Sequence, residues 1–325
     1  MRAALIETLD GPEAVVVRDV PEPDPVAGTV RVRVGAAGVT FPDVLATRGA
    51  YQVRPEPPFV PGLEVAGTVV SAPDGSGFAP GDRVAGFTTF GAFADLVDVR
   101  PEHLVRLPDG TDLVQGAALV VNHFTAHYAL SRRAAVRPGE TVLVHGAAGG
   151  VGTAATQVAK ELGCRVLAVV STPEKAELAR RNGADDVLSA ADFLAEAEAL
   201  VGKRGVDVVV DPVGGDRFTD SVRTLGVEGR LLVIGFAAGE IPTVRTNRLL
   251  LGNCGVLGVA WAELVRAEPA YVAEQWEHLR PRVADGTYTA AVQEARPLDD
   301  VAAVLTAMDR RELAGKAVLT LDAPA

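Results

Sequence analysis

The stretch VHGAAGGVG (residues 144–152) joins a short apolar run to an amphipathic segment, the setting of a strand–turn–helix. Glycines at such a joint let the backbone approach a pyrophosphate, and a helix starting there offers unpaired N–H groups to the anion. Against the pattern G-x-G-x-x-G, the three places are Ala147, Gly149 and Gly152. Gly149 is expected to admit the pyrophosphate and Gly152 to let helix and strand pack closely. Alanine at the first place implies a turn that tolerates a methyl group.

The end of the next apolar run bears on which dinucleotide is bound. An Asp or Glu there would accept the ribose 2′-hydroxyl of NAD. The sequence VVSTPEKAELARR (169–181) instead has Ser171 and Thr172 at that place, followed by Lys175, Arg180 and Arg181. Two hydroxyls and a lysine suit a 2′-phosphate, and no carboxylate is present to repel it. The expected cofactor is therefore NADPH. Thr172-Pro173 also reads as a helix cap, which is compatible with phosphate binding.

Metal chemistry has less support. The two cysteines, Cys164 and Cys254, are too few for a disulfide framework or a four-ligand zinc site. His123 and His127 are spaced i, i+4, but no third ligand accompanies them. They read as ordinary helix histidines.

The elements that position these residues follow from the whole chain of 325 residues, longer than one core normally organises. It is 48% hydrophobic and 22% charged, with no apolar run of the roughly 20 residues that a membrane span needs. The N-terminus carries acids where a signal peptide would be apolar, so a cytoplasmic protein is expected. A net charge of −11 argues against a nucleic-acid partner but permits a local basic pocket for an anionic cofactor.

Residues 1–120 read as short strands between turns, as in TVRVRVGAAGV, EVAGTVVSAPDGSG and FAPGDRVAGF. From about 121 the style changes. TVLVHGA, RVLAVVS, DDVLS, VDVVVDPV and RLLVIGF are apolar runs without alternation, separated by helical stretches, which predicts a doubly wound parallel sheet. CGVLGVAW (254–261) reads as its sixth strand, apolar and without the lysine or proline that blunts an exposed edge. Pairing of that edge with a second copy predicts a homodimer. The tail returns to helices and ends on KAVLTL, a segment able to close back on the N-terminal strands.

With these residues in view, the chain resembles the zinc-free quinone oxidoreductases of the medium-chain dehydrogenase/reductase superfamily. GVTFPDVLATRGAY, PFVPGLEVAGTV, GDRV, AAGGVG, DPVGG, GRLLVIGFAAGEIP and GKAVLTL all look like that family, in its order. The resemblance implies an α/β protein: a GroES-like β-barrel catalytic domain (1–120 and 262–325) and a Rossmann domain (121–261). Zinc relatives would have Cys, His and Cys where this chain has Thr40, Leu63 and Val121. The implied activity is zinc-free, NADPH-dependent hydride transfer from nicotinamide C4 to a quinone.

The resemblance also implies roles for individual residues. Thr40, Asp43 and Tyr51 fall at the catalytic positions, Asn122 and Thr125 at the nicotinamide end, and Gly149, Gly150 and Val151 along the pyrophosphate. Ser171, Thr172 and Lys175 fall at the 2′-phosphate, Phe236 at the nicotinamide ribose, and Lys316 near a phosphate or ribose. Ala190 stands where relatives often have a tyrosine at the adenosine phosphate. Plainer readings exist: Tyr51 as a packed loop aromatic, Asp43 as the cap of a short helix, Thr125 as a helix residue, Asp211 as a strand terminator. Two other functions remain open, an enoyl or alkenal reductase with Tyr51 as proton donor, and a non-catalytic NADPH-binding protein.

Overall fold

A computed structural model describes residues 1–321. In chain order, the N-terminal segment holds β1 (Arg2–Leu5), β2 (Val16–Asp19), β3 (Val30–Gly38), α1 (Phe41–Ala46), β4 (Glu64–Ser71), β5 (Arg83–Phe87), β6 (Leu96–Val99), β7 (Leu104–Arg106) and α2 (Leu113–His127). The middle holds β8 (Thr141–His145), α3 (Gly150–Glu161), β9 (Arg165–Val170), α4 (Pro173–Arg181), β10 (Asp186–Ser189) and α5 (Phe193–Val201). It continues with β11 (Val206–Asp211), α6 (Phe218–Thr224), β12 (Leu225–Val233), α7 (Thr246–Gly252), β13 (Gly255–Gly258) and α8 (Trp261–Ala267). The tail holds α9 (Tyr271–Ala284), β14 (Val292–Pro297), α10 (Val301–Asp309) and β15 (Lys316–Thr320). None of the described helices is long and apolar enough to cross a membrane.

Two compact units emerge, one from Met1–Val121 with Glu268–Ala325, the other from Asn122–Ala267. In the first, a curled sheet runs in the order β14-β15-β3-β4-β5-β7, with β6 also paired to β3. The C-terminal β15 pairs antiparallel with β3, Val318 opposite Gly38 and Leu319 opposite Ala37. Alternation explains the sheet: Val30, Val32 and Val34 of β3 turn inward with Val65, Val84, Phe93 and Leu319. This places the tail beside β3 and β4, which matters for Lys316.

The second unit is a six-stranded, all-parallel sheet in the order β10-β9-β8-β11-β12-β13. Its inner strands β8, β9 and β11 are buried on both faces, which is why their sequences show continuous Val and Leu rather than alternation. Strand order reverses between β8 and β11, and ligands in such sheets bind beyond the carboxyl ends of strands at that point. The glycine turn follows β8. The expected α/β class, a GroES-like sheet domain with a Rossmann domain, is the architecture found.

One element had no sequence signature. After α2 the chain widens into a π-helical turn over Tyr128–Arg133. Such turns lodge in helices at functional sites more often than elsewhere.

Candidate functional site

Gly146, not Ala147, makes the turn after β8. It holds φ at +58°, a conformation open mainly to glycine, while Ala147 is fully buried with its N–H on the Val169 carbonyl at 3.3 Å. The turn therefore spaces its glycines at 146, 149 and 152. Gly149 donates to the Gly146 carbonyl at 2.8 Å and caps α3. A Cβ on Gly152 would lie 2.6 Å from the Ala147 Cα, so the helix packs on the turn only through a glycine. The first helical N–H groups, those of Gly150, Val151 and Gly152, have no acceptor among the described residues. The twelve-residue helix thus starts with N–H donors of the kind that can face an anion.

Asn122 and Thr125 lie on α2, 6% and 7% exposed. Asn122 stands against Gly150: a Cβ there would sit 2.8 Å from Nδ2 and 2.9 Å from Oδ1. The neighbouring His123 bonds Gln157 across 3.0 Å, and His127 contacts Ser131. Among the described residues no three His, Cys, Asp or Glu side chains gather in a metal-binding group.

Ser171 and Thr172 are exposed beyond β9. The Thr172 Oγ accepts the Lys175 N–H at 3.3 Å and so caps α4. A correction is needed here, because a carboxylate is present. Hydrogen bonds from its own backbone N–H and from the Thr172 hydroxyl hold Glu174 below the usual carboxylate range. Arg180 bonds Glu177 at 2.5 Å. Phe236 follows β12; its carbonyl takes the Gly239 N–H at 2.7 Å, and its own N–H has no acceptor among the described residues. Asp211 ends β11 by accepting the N–H groups of Val213 and Gly214 at 2.8 and 2.9 Å.

The remaining candidates lie in the first unit. Half-buried Thr40 precedes α1, and its N–H and hydroxyl both donate to Asp43 Oδ2 at 2.7 Å. The other oxygen of Asp43 accepts the Gly62 N–H at 3.2 Å. Asp43 is fully buried, and that burial pushes its carboxyl up to about 7, although the Thr40 bonds and the charge of Lys316 pull the other way. Tyr51 is half-buried, its ring edge-on to Phe90 with centroids 6.5 Å apart.

Lys316 was expected beside a phosphate or ribose. The structure gives its ammonium a partner inside the domain, Glu64, with both side chains all but inaccessible. Glu64, the first residue of β4, also accepts the Val121 N–H at 2.9 Å. Burial raises the Glu64 carboxyl, while Lys316 and that N–H lower it. Sequence reasoning assigned Glu64 no role, and 252 positions separate it from Lys316.

Comparison with known proteins agrees with the fold. Residues 26–109 match the alcohol dehydrogenase GroES-like domain, and residues 150–277 match the zinc-binding dehydrogenase model. Bovine (Bos taurus) quinone oxidoreductase-like protein 2 is 37% identical over 325 residues, spanning 98% of this chain and 92% of the relative. A probable oxidoreductase from Mycobacterium abscessus superimposes with a TM-score of 0.91 at 43% identity, 99% of each chain being covered. The quinone oxidoreductase of Thermus thermophilus, a protein solved also with NADPH, is 37% identical with a TM-score of 0.85, over 99% of this chain and 100% of that one. The chain belongs to the quinone oxidoreductase family of the medium-chain dehydrogenase/reductase superfamily.

Proposed function

We propose that this NADPH-dependent oxidoreductase transfers hydride without zinc and takes quinones as acceptors. The observation that carries this reading is the set of unpartnered N–H groups of Gly150, Val151 and Gly152, at the carboxyl end of β8 where strand order reverses. The donors present fit the cofactor. Gly149, Gly150 and Val151 would hold the pyrophosphate, Asn122 and Thr125 the nicotinamide end, and the Phe236 N–H its ribose. Ser171, Thr172 and Lys175 would take the 2′-phosphate. When bound, NADPH supplies a hydride from nicotinamide C4. These residues orient it and exclude water, which is most of what hydride transfer asks of a protein.

The acceptor follows from residues that are not ligands. Thr40, Leu63 and Val121 offer neither thiolate nor imidazole, so no Lewis acid would polarise a simple ketone. A quinone needs no such help. Thr40, Asp43 and Tyr51 are the residues we assign to the acceptor. Lys316, committed to Glu64, is assigned to the domain's internal charge balance and not to direct phosphate contact. A homodimer and cytoplasmic residence complete the proposal.

Parallel NADPH-oxidation assays with 1,4-benzoquinone, 9,10-phenanthrenequinone, 2-hexenal and crotonyl-CoA test it. Fast turnover of the quinones alone supports the reading. Preference for 2-hexenal or crotonyl-CoA overturns the quinone assignment, and no turnover with any acceptor favours a non-catalytic NADPH-binding protein. Stoichiometric zinc in the purified protein would overturn the metal-free chemistry.

A further inference from the structure

Three ionisable side chains lie buried together in the GroES-like domain: Asp43 on α1, Glu64 on β4 and Lys316 on β15, at 0%, 0% and 5% exposure. Two carboxylates share one ammonium. Lys316 is hydrogen-bonded to Glu64, which also has the Val121 N–H, so that pair satisfies itself. Asp43 is left without a counter-ion of its own. The groups facing it are Thr40 at the start of α1, the Gly62 N–H from the loop before β4, Glu64 and Lys316. Glu64 favours the protonated acid; the donors and Lys316 favour the carboxylate.

The geometry decides where a proton on Asp43 can go. Of its three hydrogen-bond contacts, two are backbone N–H groups, which cannot accept. Only the Thr40 Oγ, at 2.7 Å, can do so. With Asp43 ionised, the Thr40 hydroxyl donates to it. With Asp43 protonated, the bond reverses, and the Thr40 hydrogen is released to point elsewhere. Thr40 is half-buried, so one end of this pair is accessible and the other is not.

We propose that Asp43 stores one proton and passes it through the Thr40 hydroxyl to the oxygen of the reduced acceptor. This rests on the hydride-transfer reading above. The hydride brings two electrons to the acceptor and leaves an oxyanion. The Thr40 O–H bond breaks as its proton joins that oxygen; the Asp43 O–H bond breaks as its proton replaces the one lost by Thr40. The products are the neutral reduced acceptor, oxidised nicotinamide and the Asp43 carboxylate. Water restores the proton by the same route in reverse. Thr40 is the catalytic group, and Asp43 and the Glu64–Lys316 pair act through it as positioning residues. Burial that keeps the Asp43 carboxyl near neutrality suits the task.

Thr40→Val removes the relay while keeping the shape, Thr40→Ser keeps the hydroxyl, and Asp43→Asn removes the store. With a quinone, kcat should fall as pH rises through about 7. Thr40→Val should abolish that limb and lower kcat roughly tenfold or more, at the low end for a positioned proton donor. Thr40→Ser should restore both, with NADPH affinity unchanged throughout. A Thr40→Val enzyme with the wild-type rate and pH limb would overturn the relay.

Infrared spectroscopy of the cofactor-free protein supplies a readout that needs no acceptor. A protonated-carboxyl C=O band should titrate near neutrality, vanish in Asp43→Asn and shift in Thr40→Val, where the acid loses its acceptor. A band indifferent to both variants, or no band, would overturn the proton store even if quinone turnover stands. If every acceptor fails, the quinone reading falls, and the infrared arm alone decides on Asp43.

Discussion

The amide of Asn122 rests against the α-carbon of Gly150, so closely that a methyl group there would come within 2.8 Å of Nδ2. Gly152 has no such pliable neighbour: its Cβ would meet the Ala147 Cα at 2.6 Å. The two glycines should therefore fail in different ways. Gly150→Ala can be accommodated by swinging the Asn122 amide aside, so the protein should fold with near-normal stability yet bind NADPH more weakly. Gly152→Ala must move backbone and should lose about 1–3 kcal/mol of stability, as overpacked sites do. Urea denaturation beside NADPH fluorescence titration checks both. Equal stability loss in the two variants would contradict this division.

Ser171 should set cofactor choice. A preference for NADPH over NADH of tenfold or more, about 1.4 kcal/mol, is expected from Ser171 and Lys175. Ser171→Asp should erase or reverse it by accepting the ribose hydroxyl and repelling the phosphate. Glu174, bonded to the Thr172 hydroxyl, brings a carboxylate into the same segment, so Glu174→Gln should raise the preference. Steady-state kinetics with both cofactors measures this, and unchanged KM values in Ser171→Asp would remove Ser171 from the site.

These residues also show what sequence reading reaches. The parallel strands were legible because Val and Leu filled positions on both faces of β8, β9 and β11. The turn was legible as a glycine-rich joint but not in register. Nothing in a one-letter string marks Gly146 as the residue with φ of +58°, and the three-glycine template pointed to Ala147 instead. Glu174 carries no such signal in the sequence, because only the α4 cap geometry turns its carboxylate back to Thr172. The Glu64–Lys316 pair had no signal at all. It exists because β15 lies beside β3 and β3 beside β4, a sheet order that no local spacing encodes.

Two buried groups should give stability opposing pH slopes. Asp43, raised to about 7, keeps a proton in the folded state that the unfolded chain releases near 4, so stability falls as pH rises between them. His145 is lowered to about 4, mainly by burial. Its Nε2 meets the Ser221 Oγ at 2.8 Å, and Ser221 spends its own hydrogen on the Arg217 carbonyl, so Nε2 carries the proton. Nδ1 is left bare, with no partner. Below about 6.5 the unfolded imidazole binds a proton that the folded one refuses, so stability falls as pH drops toward 4. Each contributes at most about 1.4 kcal/mol per pH unit, and over the shared window they largely cancel. Asp43→Asn should leave stability rising with pH there, and His145→Gln should leave it falling. Calorimetric Tm against pH for the three proteins tests the signs.

A second copy of the chain should cover β13. Among the described residues no strand pairs its outer side. Val227, Leu250 and Leu251, on β12 and α7 next to it in the chain, are 77%, 78% and 82% exposed. Apolar surface of that kind beside a bare edge suits two-fold sheet extension. Light scattering should report twice the chain mass at micromolar concentration, and Leu251→Arg should weaken the dimer, a buried leucine being worth about 1.5–3 kcal/mol. A single chain mass for the wild type would refute this.

Tyr51 separates the two hydride acceptors under consideration. A reduced quinone collects its protons on oxygen, from water or through Thr40, and has no need of a tyrosine. The Tyr51 ring sits edge-on to Phe90, a packing role that phenylalanine would keep. Tyr51→Phe should therefore cost at most a few-fold in kcat on quinones and act chiefly on KM. An α,β-unsaturated carbonyl instead needs a proton placed on its α-carbon, and losing a positioned general acid lowers the rate by about 10²–10⁴-fold. Assaying wild type and Tyr51→Phe on 1,4-benzoquinone and 2-hexenal distinguishes the cases. Small losses on the quinone, with slow hexenal turnover in both proteins, support quinone reduction. Efficient hexenal turnover that collapses in the variant would make the protein an alkenal reductase with Tyr51 as its acid.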